Sequence, residues 1–312
     1  MNPIRVGNAP CSWGTLEFEG LAGEPLSPTR FLDELAETGY TGTELGDWGF
    51  LPTDPTVLYG ELAGRDLTLL GAFVPVAFRE AAAHGPGEAR VLQVARLLAE
   101  VHQRAGGDTA PFVVLADENG TDPRRTQHAG RIGSGMGLSD AEWGVYADGV
   151  QRVAAAVQRE TGLRSVFHHH CGGFVETPDE VGALLSRTDP GLVGLLFDTG
   201  HMTLGAGEGG VGAAREAWER FADRTWYVHF KDCQPDLARQ GREEGWDYFT
   251  AVRRGVFCEL GQGSVDFAGV LADLRRRDYG GWVLVEQDVL PGLGTPKESA
   301  RRNREYLRSL GV

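Results

Sequence analysis

Apolar and polar positions alternate along the chain in two textures. Short runs rich in Val, Ile, Leu and aromatic residues read as buried strands at 4–13, 41–46, 67–75, 111–118, 164–170, 193–200, 225–232 and 281–288. Between them lie stretches whose apolar residues recur every three or four positions. PTRFLDELAETG (28–39), GEARVLQVARLLAEVHQRAGG (87–107) and DFAGVLADLRRRDYGG (266–281) are examples, each with Gly at or near its end. The last stretch, TPKESARRNREYLRSLG, opens on Thr295 as N-cap, Pro296 at the first helical position and Glu298 three residues after the cap. Eight strand runs in alternation with helical stretches predict a (β/α)₈ TIM barrel, one domain over residues 1–312. An open doubly wound sheet would carry a glycine-rich fingerprint after its first strand, and GNAPCSWG is not G-x-G-x-x-G. Residues 233–265 are too long for an ordinary connection and read as a long loop, either a lid over the barrel mouth or a surface excursion that meets another copy.

Composition narrows the partners. At 312 residues, 41% hydrophobic and 24% charged, the chain is of ordinary globular type. A net charge of −14 without a basic stripe argues against nucleic acid and anionic membrane surfaces. Four cysteines without a C-x-x-C pair indicate neither a zinc knuckle nor a disulfide framework. With no signal-like or membrane-length apolar run, the expectation is a cytoplasmic protein. The oligomeric state stays open, a homo-oligomer included.

In such a barrel the C-terminal strand ends build the active site. Those ends read Thr43-Glu44, Asp117-Glu118, His168-His169-His170, Asp198-Thr199-Gly200-His201, His229-Phe230-Lys231-Asp232 and Glu286-Gln287-Asp288. A single buried His or Asp is usually a satisfied core residue, but this many ionisable groups on one rim require compensation. A divalent metal supplies it, and the mixed nitrogen and oxygen donors suit Mn²⁺, Co²⁺, Fe²⁺ or Zn²⁺. Period-two alternation allows at most two of the three histidines inside: His168 and His170 share a face and His169 opposes them. Trp282, Leu284, Glu286 and Asp288 likewise share one face of the last strand.

LLFDTGHM (195–202), YVHFKD (227–232), the G-x-G-x-V-D-F run within ELGQGSVDFAGVL (259–271) and GGWVLVEQD (280–288) resemble the xylose isomerase-like family of sugar isomerases and epimerases. NAPCSWG, TGTELG, FHHHCGGFVET and NREYLRSLG narrow the resemblance to its inosose dehydratase branch, which acts on 2-keto-myo-inositol. The resemblance implies a divalent ion, Mg²⁺ joining the candidates, held by Asp198, His229 and Glu286, with His201 contacting substrate. It leaves the fourth ligand open between His168, where epimerases carry Glu, and Glu176 just downstream. The implied reaction is loss of water from a keto-polyol through an enediolate. Glu286 serves as ligand and base, His168 or His170 as acid or base near the leaving hydroxyl, and Lys231 stabilises the oxyanion. Lys231 read alone fits equally an ion pair with Asp232 or Glu259. Glu44 is expected to bond substrate hydroxyls, and Trp13 either to stack on the ring or to pack in the core. The alternatives are a sugar isomerase or epimerase, sharing the enediolate, and a non-catalytic sugar-binding protein.

Overall fold

The computed structural model describes residues 3–14, 26–288 and 294–312. Eight parallel strands close into a barrel: β1 (Arg5–Asn8), β2 (Gly42–Glu44), β3 (Thr68–Pro75), β4 (Phe112–Ala116), β5 (Arg164–His168), β6 (Val193–Asp198), β7 (Thr225–Phe230) and β8 (Trp282–Val285). Each pairs with its sequence neighbour, and β8 closes on β1 with Gly7 opposite Leu284. The first strand is shorter than its apolar run because Pro10–Trp13 coil into a 3₁₀ turn, Pro10 having no N–H for the ladder.

Helices cover the outside. Among the described residues the α-helices are α1 (Pro28–Glu37), α2 (Pro55–Ala63), α3 (Ala81–Ala105), α4 (Pro123–Gln127), α5 (Asp140–Thr161), α6 (Pro178–Arg187), α7 (Thr199–Gly205), α8 (Gly210–Phe221), α9 (Pro235–Glu244), α10 (Tyr248–Arg253), α11 (Phe267–Arg276) and α12 (Pro296–Ser309); α3 begins six residues before the periodic stretch, with Pro86 inside its second turn. The Thr295 hydroxyl accepts the Glu298 amide and Pro296 takes the first position of α12, as its sequence predicts. The outer core between barrel and helices includes Phe31, Phe78, Tyr146, Phe197 and Phe267.

The barrel interior is layered by strand alternation. Leu70, Val114, Val166, Leu196, Tyr227, Trp282 and Leu284 fill an apolar layer. Two residues further along four of these strands, the same inward face presents His168, Asp198, His229 and Glu286. One dry layer thus carries the ionisable layer above it.

The 233–265 segment is folded. Asp232–Cys233 pair antiparallel with Phe257–Cys258, enclosing α9 (Pro235–Glu244) and α10 (Tyr248–Arg253). Asp232 does not pair with Lys231. Its carboxylate accepts the amides of Cys233, Gly261, Gly263 and Val265, organising the return loop. A Cβ at Gly263 would meet that carboxylate at 2.3 Å, which explains a glycine at this point of the G-x-G-x-V-D-F run.

Candidate metal centre and active site

Adjacent strands bring four donors to one place. Asp198 and His229 are register partners on β6 and β7, and the Glu286 amide continues the β7–β8 ladder by donating to Phe230 O. His168 Nε2 lies 3.8 Å from Asp198 Oδ2, and His229 Nδ1 lies 4.0 Å from the same oxygen and 3.2 Å from Glu286 Oε1. One donor atom from each of the four residues falls within 4.8 Å of the others. Ligands of one first-row divalent ion, each about 2.0–2.2 Å from it, sit about 3–4 Å from their neighbours, so the set fits such an ion. Asp198 Oδ2 and His229 Nδ1 are moreover buried without a hydrogen bond, the state expected of atoms reserved for a cation.

The charges agree. Burial alone would lower the proton affinity of His229, but the carboxylates of Glu286 and Glu44 outweigh it and push the imidazole up to about 10. Burial opposes ionisation of Glu286, yet His229 and Lys231 hold it well below the usual carboxylate range. Asp198 is likewise lowered against burial, by His168 and Lys231. A proton on His229 therefore supplies positive charge where the ligand set calls for a cation.

Glu176 is not brought to this cluster. Its Oε1 accepts the Gly130 amide at 2.7 Å and its Oε2 the Gly172 amide at 2.8 Å. Both oxygens of this fully buried carboxylate pin loops, and His168 occupies the strand-five position in the donor set. Trp13 is also elsewhere: it lies edge-on to Phe31 at 5.1 Å and donates its indole N–H to Glu34. That is core packing, the second of the two expectations.

A cavity of about 120 Å³ opens beside the donors, lined by Cys11, Glu44, Asp47, Phe73, His168, His170, Lys231, Tyr248, Phe249, Glu286 and Asp288, among others. Lys231 is buried between Glu286 Oε2 at 3.3 Å and Asp288 Oδ2 at 3.5 Å, with the Thr199 hydroxyl fixing its backbone at both N and O. Glu44 Oε1 lies 3.0 Å from His229 Nε2.

The histidine run divides as its alternation predicts. His169 points away from the cavity, fully buried against Phe197, its Nε2 accepting the Asp198 amide. His170 lines the cavity with Nδ1 2.7 Å from Cys171 O and Nε2 3.3 Å from the Tyr248 hydroxyl. A carbonyl only accepts, so His170 carries its proton on Nδ1 and takes the tyrosine proton at Nε2. Burial and the neighbouring His168 and Lys231 push its pKa down to about 3, leaving it neutral. His201 lies against it with ring centroids 3.8 Å apart and ring planes tilted by 37°. Its Nδ1 accepts the Cys171 amide at 3.4 Å, and its Nε2 is buried without a partner.

Tyr248 and Phe249, at the start of α10, are site residues that strand-end reasoning missed. They lie within the 233–265 segment, whose length was the only signal. Asp288 was visible as a strand-end carboxylate but had no assigned role.

Known proteins share this architecture. Residues 32–310 match the family described as xylose isomerase-like TIM barrel. The chain is 35% identical over 313 residues to an inosose dehydratase of Geobacillus kaustophilus, an alignment covering 99% of this chain and 96% of that protein. It is 31% identical over 314 residues to an inosose dehydratase of Bacillus velezensis, covering 98% and 96%. Among solved structures, an L-ribulose 3-epimerase superposes with a TM-score of 0.68 at 17% identity, over 99% of this chain and 94% of its own. A 3-keto-D-glucoside 4-epimerase from E. coli gives 0.67 at 16% identity, over 98% and 100%. At these identities the structural likeness is one of fold.

Proposed function

This chain belongs to the xylose isomerase-like TIM barrel family, and from that premise we propose that it is a metal-dependent lyase that dehydrates an inosose such as 2-keto-myo-inositol. The observation that carries the metal-centre reading is the convergence of His168, Asp198, His229 and Glu286, with three donor pairs 3.2–4.0 Å apart and all four donors within 4.8 Å. Full-length similarity to inosose dehydratases favours loss of water over epimerisation.

These four residues would hold a divalent ion, whose Lewis acidity would polarise a ketone and acidify the adjacent C–H. The remaining chemistry belongs to the chain. Glu286, kept ionised by His229 and Lys231, is the base at the rim. Lys231, held between two carboxylates and sealed from water, presents fixed positive charge to the developing oxyanion. With His168 committed to the donor set, the Tyr248 hydroxyl, oriented by the neutral His170, is the acid that gives its proton to the departing hydroxyl. The unpaired Nε2–H of His201 is the donor for a substrate oxygen. Tyr248 and Phe249 make the 233–265 segment a cover that excludes water from this step.

The experiment is turnover of inososes and ketohexoses in deuterated water by the metal-loaded protein, followed by mass spectrometry. A product lighter by one water supports the proposal. Exchange of the α-proton without water loss would assign the site to an isomerase or epimerase, and binding with neither would leave a sugar-binding protein.

A further inference from the structure

Glu44 is expected from sequence to bond substrate hydroxyls, yet its position serves another partner. Glu44 is nearly sealed from solvent, 4% exposed, and its Oε1 lies 3.0 Å from His229 Nε2. The opposite ring nitrogen, Nδ1, faces Glu286 Oε1 and Asp198 Oδ2. A carboxylate beside Nε2 retains the N–H there and leaves the Nδ1 lone pair for a ligand bond.

A backbone irregularity aims Glu44 at this nitrogen. The β2–β3 register shifts between Thr43 and Glu44, so that Thr43 opposes Leu69 while Glu44 opposes Gly71; such an irregularity re-aims a side chain. Gly71 is required there by the neighbouring strand: a Cβ would stand 2.8 Å from Phe112 O, while Glu44 Oε1 would lie at an ordinary 3.7 Å. Tyr227, edge-on to His229 with centroids 5.2 Å apart, closes the ring from below.

We propose that Glu44 is a positioning residue of the metal centre, fixing His229 as the tautomer whose Nδ1 points at the ion. The inference rests on the metal-centre reading above. Glu44 acts through His229, without contact to the reacting atoms.

The test is ion affinity, measured by competition with a chromophoric chelator for the wild type, Glu44→Ala and Glu44→Gln, alongside ¹⁵N NMR of the His229 imidazole. Glu44→Ala is expected to bind the ion about 10–100-fold more weakly. Glu44→Gln, whose amide oxygen still accepts the Nε2–H, should recover most of that loss and keep the Nε2–H signal. With the ion saturating, KM for the polyol should stay close to wild type. Unchanged ion affinity in Glu44→Ala with a raised KM would overturn the inference and return Glu44 to substrate binding. Should the alanine variant fail to fold, an Nδ1–H signal of His229 in the ion-loaded wild type would overturn it alone. A wild type that takes up no ion would instead sink the metal-centre reading itself.

Discussion

Replacing Arg125 with methionine removes a cation with no exposure to solvent. The guanidinium donates through Nε to Gly173 O at 2.7 Å and through its two terminal nitrogens to Glu180 at 2.7 and 2.8 Å, with the Phe174 ring beside it. Glu180 Oε2 also accepts the amides of Glu176 and Thr177, each at 3.0 Å. These bonds hold the 170–177 turn that carries His170 into the cavity. Methionine keeps most of the volume but leaves Glu180 as a poorly hydrated anion with only amides for partners. Breaking a buried pair from one side costs about 3–5 kcal/mol, whereas replacing both members with apolar groups costs far less because neither ion then needs desolvating. Chemical denaturation of Arg125→Met, Glu180→Leu and the double variant measures this. Arg125→Met is expected to lose about 3–5 kcal/mol. The double variant should fall short of the summed single losses by at least about 1 kcal/mol. Turnover should drop in Arg125→Met while ion binding persists, because the four donors stand on strands this turn does not build. A loss below about 1 kcal/mol, or strict additivity, would refute the reasoning.

Glu176, pushed by burial from 4.5 up to about 7 despite Arg125 and two backbone amides, holds its proton more tightly in the folded chain than in the unfolded one. Its stabilising contribution is therefore full below about pH 4.5 and lost as pH rises to about 7, a fall of about 3 kcal/mol; denaturation at pH 5 and pH 8 should show that fall shrinking in Glu176→Gln, and an unchanged fall would contradict it. Tyr248→Phe should lower kcat by on the order of 100-fold with unchanged ion stoichiometry, and a wild-type kcat would remove Tyr248 from the proton path. Gly71→Ala places a Cβ 2.8 Å from the Phe112 carbonyl, backbone that yields little; thermal and chemical denaturation should show a loss of about 1–3 kcal/mol.

The barrel was legible because strand alternation imposes a period that sequence displays directly. The same period sorted His168 and His170 from His169, and it placed Glu286 above Leu284 and Trp282. What alternation does not carry is how loops return. Glu176 and His168 both lie near the end of β5, and only the folded turn shows that Gly130 and Gly172 claim both Glu176 oxygens. Tyr248 reaches the cavity through α10, whose placement depends on the short antiparallel ribbon rather than on any local pattern. Glu44 shares this limit, because a register shift of one residue has no composition signal. Arg125 sits in the polar run TDPRRTQ, and its complete burial follows from a partner 55 residues away.

The most direct test of the central claim is titration of chelator-treated protein with a divalent ion while water loss from 2-keto-myo-inositol is followed. The stripped chain is expected to be inactive, and about one bound ion per chain should restore turnover. Asp198→Ala and His229→Ala should fail to recover under the same titration. Full dehydration by the stripped chain, or undiminished ion uptake and turnover in both variants, would contradict that claim.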